Sequence, residues 1–595
     1  MSSANVPSAS KGERRMRKDD EGRPDGAVVA GEAPGKKLGE RKPVVAVYGA
    51  GIAGLTVAHE LATRGYSVTV YEALSESGGF FRSARPEGPT GMPTEYSWHG
   101  MGPWYQNVFD LLKQIPFDET GSVYERALSR QIDFGIFPDD QPAEFYDKGL
   151  GSIPRMFRFG RGEFLRWSWL MLKVWCSRQR SEQQFSRMNA AACCRPLLCD
   201  KGYMSWRACF GPWIGSDWTK VSLHHCGHFF RRQLVTKPTH AHPADEQGPA
   251  WSHGAGDGWL LLRGPSSEVW FHRWIPWLEK QGVQFHWDMP LHSFKFDGKR
   301  VSSAVLADGS ESNADVHVLA TNPFAAAEIV ERSGSLASLQ VLREFRPLVK
   351  DGPHLQISLR IAFRELICFP RPRTAVVLSD TEYNLTLFAQ EQAWRKDQSL
   401  GEGIVSLWTV TSCAGNVPGR IFKLPAAQCS KTQFIFEVRA QILGCGALDE
   451  MIREANGGRS LADFEMTKIE VWHEWKFSPV GITGPQPKWV TTTRNQAHRP
   501  SQRTPVENLL LAGAHTRTAA DVWSIEGAVE SGRLAAREVE PSVEVKSQYD
   551  SPCLIAIWRV DDLLFRFGLP HVLSCAVFAL AVGALVLAGF LFYRR

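Results

Sequence analysis

Residues 44–72 have the sequence VVAVYGAGIAGLTVAHELATRGYSVTVYE, and their pattern determines the fold class that we predict for this chain. It begins with an apolar run typical of a buried parallel strand, turns through a G-x-G-x-x-G pattern into an amphipathic helix, and ends with a second strand closed by Glu72. A glycine pattern alone is weak evidence, but here both strands and the acidic residue stand in register with it. The stretch therefore predicts a βαβ unit that binds an adenine dinucleotide.

The residues of this unit have separate roles. Gly49 permits the tight turn, Gly51 lets the backbone approach a pyrophosphate, and Gly54 lets the helix pack closely on the strand. Unpaired N–H groups and the positive dipole end at the helix N-terminus favour phosphate, and Glu72 is placed to accept hydrogen bonds from ribose hydroxyls. The predicted dinucleotide contacts at this end are Gly49, Ala50, Gly51, Ile52, Ala53, Gly54 and Glu72.

Two further segments point to one kind of dinucleotide. SESGGFFRS, residues 75–83, follows the unit almost directly, and NLLLAGAHTRTAADVWSIEGAVESGRLAAREV, residues 508–539, lies near the other end of the chain. The second segment predicts a strand, a glycine turn and a helix over 524–539 that begins at an N-cap serine. Both segments resemble the two ends of the FAD site in the flavin amine oxidase and carotenoid desaturase superfamily. The resemblance implies FAD and an α/β fold, with a Rossmann-type FAD-binding domain and an interleaved α+β substrate-binding domain.

The resemblance also implies cofactor contacts outside the first unit. These are Gly78, Gly79, Arg82, Gly513, Ala514, Ser524, Ile525, Glu526 and Ala528. The N-terminus of the helix over 524–539 would face the flavin and favour the negative charge that appears on reduction. One position departs from the family, whose Gly-Asp pair becomes Gly513-Ala514. The carboxylate that would hold the ribityl chain is therefore missing, and His515 and Thr516 are the candidate replacements.

The resemblance is closer to the carotene desaturase branch. In EYSWHGMGPWYQN, Glu95, His99, Tyr105 and Asn107 match plant and cyanobacterial carotene desaturases in residue type and spacing. WSIEGAVESG, residues 523–532, resembles their SMEGAVxSG segment. Amine oxidases usually place an aromatic residue directly before the Met/Ile-Glu-Gly-Ala step, whereas this chain has a serine there. The resemblance therefore implies a hydrophobic, isoprenoid or carotene-like substrate from which hydride is removed.

Desaturation of this kind needs few polar groups near the flavin. The candidates are His99 and Glu95, by resemblance, and Arg517 and Asp521, in the loop before the C-terminal helix. For each of them, a structural hydrogen bond is the alternative interpretation. Trp489 is a candidate for the wall facing the flavin. The electron acceptor stays open between a quinone and O2.

Two other functions stay open at this point. One is a flavin amine oxidase that acts on a polyamine or another amine. The other is a non-catalytic membrane protein that contains FAD. The net charge of +5 over 595 residues is too small to indicate nucleic acid as a partner.

The pattern of composition predicts the domain boundaries. Residues 1–43 are expected to form a disordered basic tail. Residues 44–110, 256–345 and 465–540 are assigned to the FAD-binding domain, and residues 111–255 and 346–464 to the substrate-binding domain. A linker over 541–569 is predicted to lead to a membrane anchor over 570–593.

The predicted anchor includes VLSCAVFALAVGALVLAGFLFY, residues 572–593, which has no charged residue. As a helix it would be about 33 Å long, enough for the hydrocarbon core of a bilayer. We therefore expect a single transmembrane helix, with the FAD domain on the cytosolic or stromal side and membrane lipid as a partner. FLRWSWLMLKVW, residues 164–175, is too short to span, and its interpretation stays open between an interfacial helix and an amphipathic helix covering the substrate domain.

Twelve cysteines raise the question of a metal site. Several lie near His224, His225 and His228, but no C-x-x-C pair recurs at zinc-binding spacing. No metal is therefore expected, and the cysteines are predicted to be reduced thiols.

Overall fold

Five parallel strands form the central sheet of the computed structural model, which describes residues 41–96, 99–102, 104–130, 133–145, 153–215, 218–235, 259–371, 374–413 and 415–593. In their order across the sheet, the strands are Gln284–His286, Val68–Tyr71, Val45–Tyr48, Val316–Leu319 and Leu509–Leu511. Buried valines and leucines are frequent in the four strands other than the edge strand Gln284–His286, as expected for a parallel sheet covered on both faces. The first strand and a strand near the end of the chain therefore share one sheet, which we call the dinucleotide sheet.

Two helices pack together beside the glycine turn, which follows the central strand of the dinucleotide sheet. The helix Ile52–Ala62 follows the glycine turn, and the helix Ile525–Val539, named here the returning helix, packs against it. A side chain at Gly532 would come within 2.6 Å of the Ala53 carbonyl oxygen, so the two helices touch backbone to backbone. The predicted N-cap is confirmed, because the Ser524 side chain accepts a hydrogen bond of 3.2 Å from the Gly527 amide.

A second, seven-stranded sheet forms the other main layer. In order, its strands are Glu144–Phe145, Asp133–Phe137, Thr374–Leu378, Leu385–Ala389, Ser406–Ser412, Ile357–Phe363 and Met466–Val471. All neighbours are antiparallel except Asp133–Phe137 and Thr374–Leu378. The helix Lys431–Leu443 packs its buried Phe434 and Val438 on this sheet. The mixture of antiparallel strands and helices agrees with the α+β character predicted for this part of the chain.

Shorter elements connect and flank the two layers. The remaining helices of the body are Gln106–Leu112, Val123–Arg126, Ile153–Met156, Gln179–Gln183, Ala190–Cys194, Asp200–Ile214, Leu223–Val235, His272–Lys280, Pro323–Arg332, Phe345–Leu348 and Gly446–Ala455. Two three-stranded sheets comprise Gly100–Met101, Leu260–Leu262 and Leu128–Arg130, and Leu291–Phe296, Val301–Leu306 and Glu311–Ser312. Three two-stranded ribbons pair Ser83–Ala84 with Thr94–Glu95, Pro116–Asp118 with Gly121–Ser122, and Lys476–Ser478 with Gly481–Thr483.

The helix Arg161–Trp175 contains the short apolar stretch whose interpretation the sequence left open. One face buries Trp167, Met171 and Val174, at the spacing of an amphipathic helix. The opposite side exposes Leu165 and Leu172. The helix therefore covers the body of the protein and also presents an apolar surface to the outside.

Two helices end the described chain. Pro552–Arg566 lies within the predicted linker, and its buried Asp561 pairs with Arg180 at 3.1 Å. Val572–Tyr593 forms at the position of the predicted anchor, with side chains described as far as Val586. Within the part of the chain that the structure describes, no helix is long and apolar enough to cross a membrane. The predicted transmembrane helix is thus present as a helix but is not supported as a membrane span. The predicted tail over 1–43 lies almost wholly outside the described residues.

Candidate active site

A cavity of about 410 Å³ lies where the two ends of the chain meet, in the size range of sites for small molecules and cofactors. Twelve of the sixteen predicted cofactor contacts line it: Gly49, Gly51, Ile52, Ala53, Glu72, Gly78, Gly79, Gly513, Ala514, Ser524, Ile525 and Ala528. Among the predicted catalytic residues, His99 also lines it. Residues separated by more than 400 positions therefore form one wall.

The glycine turn shows why its residue types matter. A Cβ at Gly54 would collide with the carbonyl oxygen of Gly49, so this position supports the turn from behind the cavity. A Cβ at Gly51 would meet no protein atom within 4 Å, because the position opens on the cavity. Ala50 also lies behind the wall, and its carbonyl accepts a hydrogen bond of 2.9 Å from the Gly78 amide. The turn thus leaves space that fits a pyrophosphate.

Glu72 lies on the cavity wall at the end of its strand. Its carboxylate accepts hydrogen bonds from the backbone amides of Ala50, at 2.6 Å, and Leu74, at 3.1 Å. Burial raises the pKa of the Glu72 carboxyl, and the two amides oppose that rise. The acid is therefore held beside the glycine turn, where the sequence predicted it to meet a ribose.

Several polar atoms on the wall have no hydrogen-bond partner in the described part of the chain. They are Tyr96 Oη, His99 Nε2, Trp104 Nε1, Thr321 Oγ1 and His515 Nε2, all buried. Buried polar atoms are nearly always paired in folded proteins, so such a set marks a wall built for a polar ligand. Together with the open space at Gly51 and the N-terminus of the returning helix, these residues fit a flavin dinucleotide.

Besides Ala50 and Gly54, two more predicted cofactor contacts lie outside the cavity wall. Arg82 is buried and pairs with Glu474 and, at 3.3 Å, with Glu76. Glu526 accepts hydrogen bonds of 3.0 Å from the amides of Asn107 and Val108. Burial raises the pKa of Glu526 to about 7. Both side chains hold segments of the site together rather than facing the cavity.

Glu526 also explains part of the segment over 95–107 that resembles carotene desaturases. The Asn107 side-chain amide donates to Glu526 Oε1 at 2.8 Å, in addition to the backbone bond. Asn107 therefore connects the helix Gln106–Leu112 to the first turn of the returning helix. The sequence pattern identified this residue but did not indicate its structural contact.

Of the candidate catalytic residues, His99 is the one that lines the cavity. Burial lowers its pKa to about 3, so its imidazole is neutral at physiological pH. Its ring packs on Phe81, with ring centroids 3.7 Å apart. Glu95 instead pairs with buried Arg360 at 2.8 Å and accepts a hydrogen bond of 3.0 Å from the Ser266 amide. These contacts make Glu95 part of a buried ion pair behind the wall.

Arg517 and Asp521 do not line the cavity either. Arg517 is exposed, and its Nε donates to the Arg499 carbonyl oxygen at 2.9 Å. Asp521 pairs with Arg499 and with His224, whose Nε2 lies 2.6 Å from Asp521 Oδ2. Burial alone would raise the pKa of Asp521, but these neighbours hold it well below its usual range. A direct catalytic role has no support from the position of either residue.

The same aspartate belongs to a cluster with ligand atoms close enough for a metal ion. Among the described residues, such a group is formed by His224, His228 and Asp521. One ligand atom from each of them lies within 4.8 Å of the ligand atoms of the other two. Arg499 occupies the other oxygen of Asp521, which adds a positive charge where a cation would bind. The absence of a metal stays a prediction.

Several residues that line the cavity are not marked by any sequence pattern. They are Tyr96, Trp104, Phe229, Trp259, Gln356, Lys488 and Trp523. They come from separate segments, and no local pattern distinguishes them from core residues. Trp489, the predicted wall residue, is instead buried outside the cavity, where its indole N–H donates to the Leu348 carbonyl at 2.9 Å. The neighbouring Trp523 takes the position on the wall.

Comparisons with known proteins agree with this geometry. Residues 47–115 match the NAD(P)-binding Rossmann-like domain family, and residues 449–540 match the flavin containing amine oxidoreductase family. These segments are the two ends that meet at the cavity. Both matches support FAD as the cofactor.

Solved structures of similar fold cover most of the chain. Cyclohexylamine oxidase from Brevibacterium oxydans is 14% identical, with a TM-score of 0.54, over 84% of this chain and 99% of that chain. Putrescine oxidase bound to putrescine gives the same identity, TM-score and coverage. An oxidoreductase from Methanosarcina mazei is 13% identical, with a TM-score of 0.54, over 84% of this chain and 100% of that chain. At these identities the similarity concerns the fold.

Proposed function

We propose that the chain, which is an FAD-dependent oxidoreductase with the fold of the flavin amine oxidase superfamily, removes hydride from an apolar, isoprenoid-like lipid. The character of the cavity wall carries this proposal. Trp104, Phe229, Trp259 and Trp523 give it large apolar surfaces. Among the described residues that line the cavity, Glu72 is the one carboxylate, and it lies beside the glycine turn. An amine would find no acidic partner on the aromatic part of the wall.

Bound FAD would supply the two-electron acceptor for this oxidation. The chain's own residues position the substrate and exclude water, since aromatic side chains form much of the wall. The N-terminus of the returning helix offers unpaired amides and a positive dipole end to developing negative charge. His99 Nε2, neutral and unpartnered, is an acceptor on the wall for the proton that leaves beside the hydride.

The direct test mixes the anaerobic holoprotein with either a carotene or spermine and follows the flavin absorbance. We expect the carotene to bleach the flavin and spermine to leave it unchanged. Bleaching by spermine alone would instead identify an amine oxidase. A full complement of FAD that neither compound reduces would favour a non-catalytic FAD protein.

An amine substrate is the second candidate, because of one observation. Trp523 lies directly before Ser524 and lines the cavity, packed edge to face on Trp489 with ring centroids 5.2 Å apart. It therefore supplies an aromatic surface that the sequence pattern at Ser524 lacks. The acidic partner that a cationic amine requires is still missing from that part of the described wall.

We also infer that the protein works at a membrane, with the FAD domain on the cytosolic or stromal side. The uncharged helix Val572–Tyr593 supports this localisation, and so do its exposed side chains Phe578, Leu580 and Leu585. Leu165 and Leu563, on two other helices of the body, add exposed apolar surface. An apolar substrate would reach the cavity from lipid, and a quinone or O2 would then reoxidise the flavin.

Removal of the last helix tests this localisation. A variant that ends at His571 keeps the contact of that residue with the Lys173 carbonyl, so the body of the protein should fold normally. We expect the full chain to sediment with membranes after alkaline carbonate extraction and the shortened chain to stay in the supernatant with its FAD. Recovery of the full chain in the soluble fraction without detergent would contradict the proposed anchoring.

A further inference from the structure

Lys488 is a buried cation on the wall of the cavity, 8% exposed. Its ammonium group donates a hydrogen bond to the Gln356 side-chain oxygen. Several other deeply buried cations of the protein have acidic partners, for example Arg360 with Glu95 and Arg533 with Glu60. Within the described chain, Lys488 pairs with an amide and no carboxylate. Its positive charge is therefore left without a carboxylate counter-charge, and the Cys413 thiol is a titratable group near it.

The surrounding structure keeps space for this ammonium group. Gly215, which has a φ of +59°, lies against it, and a Cβ at that position would collide with Lys488 Nζ. Gly215, Gln356 and Lys488 all line the cavity. The charge is thus held at the cavity surface and is not simply enclosed in the core.

One other polar group of this region also suits an acceptor ligand. Tyr96 Oη lines the same cavity and is buried without a hydrogen-bond partner in the described chain. Burial keeps the tyrosine protonated, because it raises the pKa of its hydroxyl. The ammonium and the phenol both donate, and an isolated buried charge is unfavourable unless a ligand compensates it.

We propose that Lys488 binds an anionic oxygen group, a carboxylate, at one end of an otherwise apolar substrate. The inference rests on the proposed function and adds a preference to it: an isoprenoid acid binds more tightly than a neutral isoprenoid, which the cavity still accepts. The aromatic wall would hold the apolar body, and Lys488 would fix its position along the cavity through a charge-assisted hydrogen bond. Lys488 is accordingly assigned as a specificity-determining residue.

The test compares three ligands that share one C20 isoprenoid tail: geranylgeranoic acid, geranylgeraniol and geranylgeranylamine. Binding to the full-length holoprotein is followed through the change in flavin absorbance. We expect the acid to bind at least about tenfold more tightly than the alcohol, and the amine to bind most weakly. Lys488→Met should remove the preference for the acid and leave the affinity for the alcohol within about twofold. The matched control is Lys476→Met, at an exposed position outside the cavity, which should change neither affinity.

The pH dependence gives a second readout. Burial lowers the pKa of Lys488 to about 8, so affinity for the acid should fall as the pH rises through that value, while affinity for the alcohol stays level. The other titratable groups near the ammonium are His99, Tyr96 and Cys413. His99 has a pKa of about 3, and Tyr96 stays protonated, so neither changes charge near pH 8. The Cys413 thiol is removed from consideration by Cys413→Ser, which should keep the decline in affinity for the acid near pH 8. Lys488→Arg should keep the preference for the acid and lose its decline near pH 8.

Three outcomes would overturn the assignment. Equal affinities for acid and alcohol in the unmodified protein would exclude an anion site. Loss of both affinities in Lys488→Met, with Lys488→Arg equally inactive, would indicate a structural role. A changed flavin spectrum or FAD affinity in ligand-free Lys488→Met would indicate that the charge serves the cofactor. If the unmodified protein still binds the alcohol, the proposed function stands even when the assignment of Lys488 fails. If none of the three lipids affects the flavin of the unmodified protein, the result counts against the proposed function itself.

Discussion

Gly51→Val is expected to abolish FAD binding while the protein still folds. Gly51 has a φ of −74° and a ψ of 173°, which valine adopts readily, and a Cβ there would meet no protein atom within 4 Å. The new side chain would instead fill the space for the pyrophosphate. We expect the Kd for FAD to rise at least about 100-fold, which corresponds to about 2.7 kcal/mol. Isothermal titration of the FAD-free protein measures this change, and circular dichroism checks the fold.

Two further glycine variants serve as controls. Gly162→Val, on an exposed turn of the helix Arg161–Trp175, should bind FAD normally. Gly54→Val should differ from both, because its side chain would collide with the Gly49 carbonyl and disturb the packing of helix on strand. It should therefore lose stability as well as FAD. Normal FAD affinity in Gly51→Val would show that the dinucleotide does not approach this turn.

Arg533→Met is expected to destabilise the protein by about 3–5 kcal/mol, the usual cost of breaking a buried ion pair from one side. The Arg533 side chain is 1% exposed and donates to Glu60 at 2.8 Å and to Asp110 at 2.7 Å. It lies on the returning helix, and Glu60 lies on the helix after the glycine turn. Removal of the guanidinium takes the buried partner from both acids at the contact between the chain's two ends, and leaves Glu60 with Arg64 and Asp110 with Lys546. Because each acid keeps one partner, the lower end of this range is expected.

Urea unfolding of the FAD-free protein measures this loss. Arg537→Met, on the same helix but exposed, is the matched control and should change the free energy of unfolding by less than about 0.5 kcal/mol. Arg533→Lys should recover part of the stability, because it restores one charge but not the two-acid geometry. Equal effects of the substitutions at 533 and 537 would contradict a role for Arg533 in joining the two ends.

The parts of the site that the sequence predicted well are local. The glycine turn, its two strands and the N-cap at Ser524 each occupy a few consecutive residues whose types follow from backbone geometry. The pairing of distant segments came from the resemblance, and the dinucleotide sheet contains strands from both. Local structures whose residue types are fixed by backbone conformation can be predicted from the sequence without knowledge of the tertiary fold.

The directions of individual side chains could not be predicted in the same way. Arg517 and Asp521 lie in a loop and do not line the cavity, and Asp521 has a φ of +48°, which local sequence does not predict. The neighbours Lys488, Trp489 and Trp523 show the same limitation, since Lys488 and Trp523 line the cavity while Trp489 lies behind it. The wall is assembled from separate segments, so its chemistry becomes visible only when the chain is folded.

The FAD content of the purified full-length protein tests directly whether the two ends of the chain form one flavin site. FAD released by denaturation is measured against protein concentration, before and after incubation with an excess of FAD. We expect a yellow protein with one FAD for each chain, and loss of that FAD in Gly51→Val. A colourless protein that folds but cannot be reconstituted with FAD would contradict it.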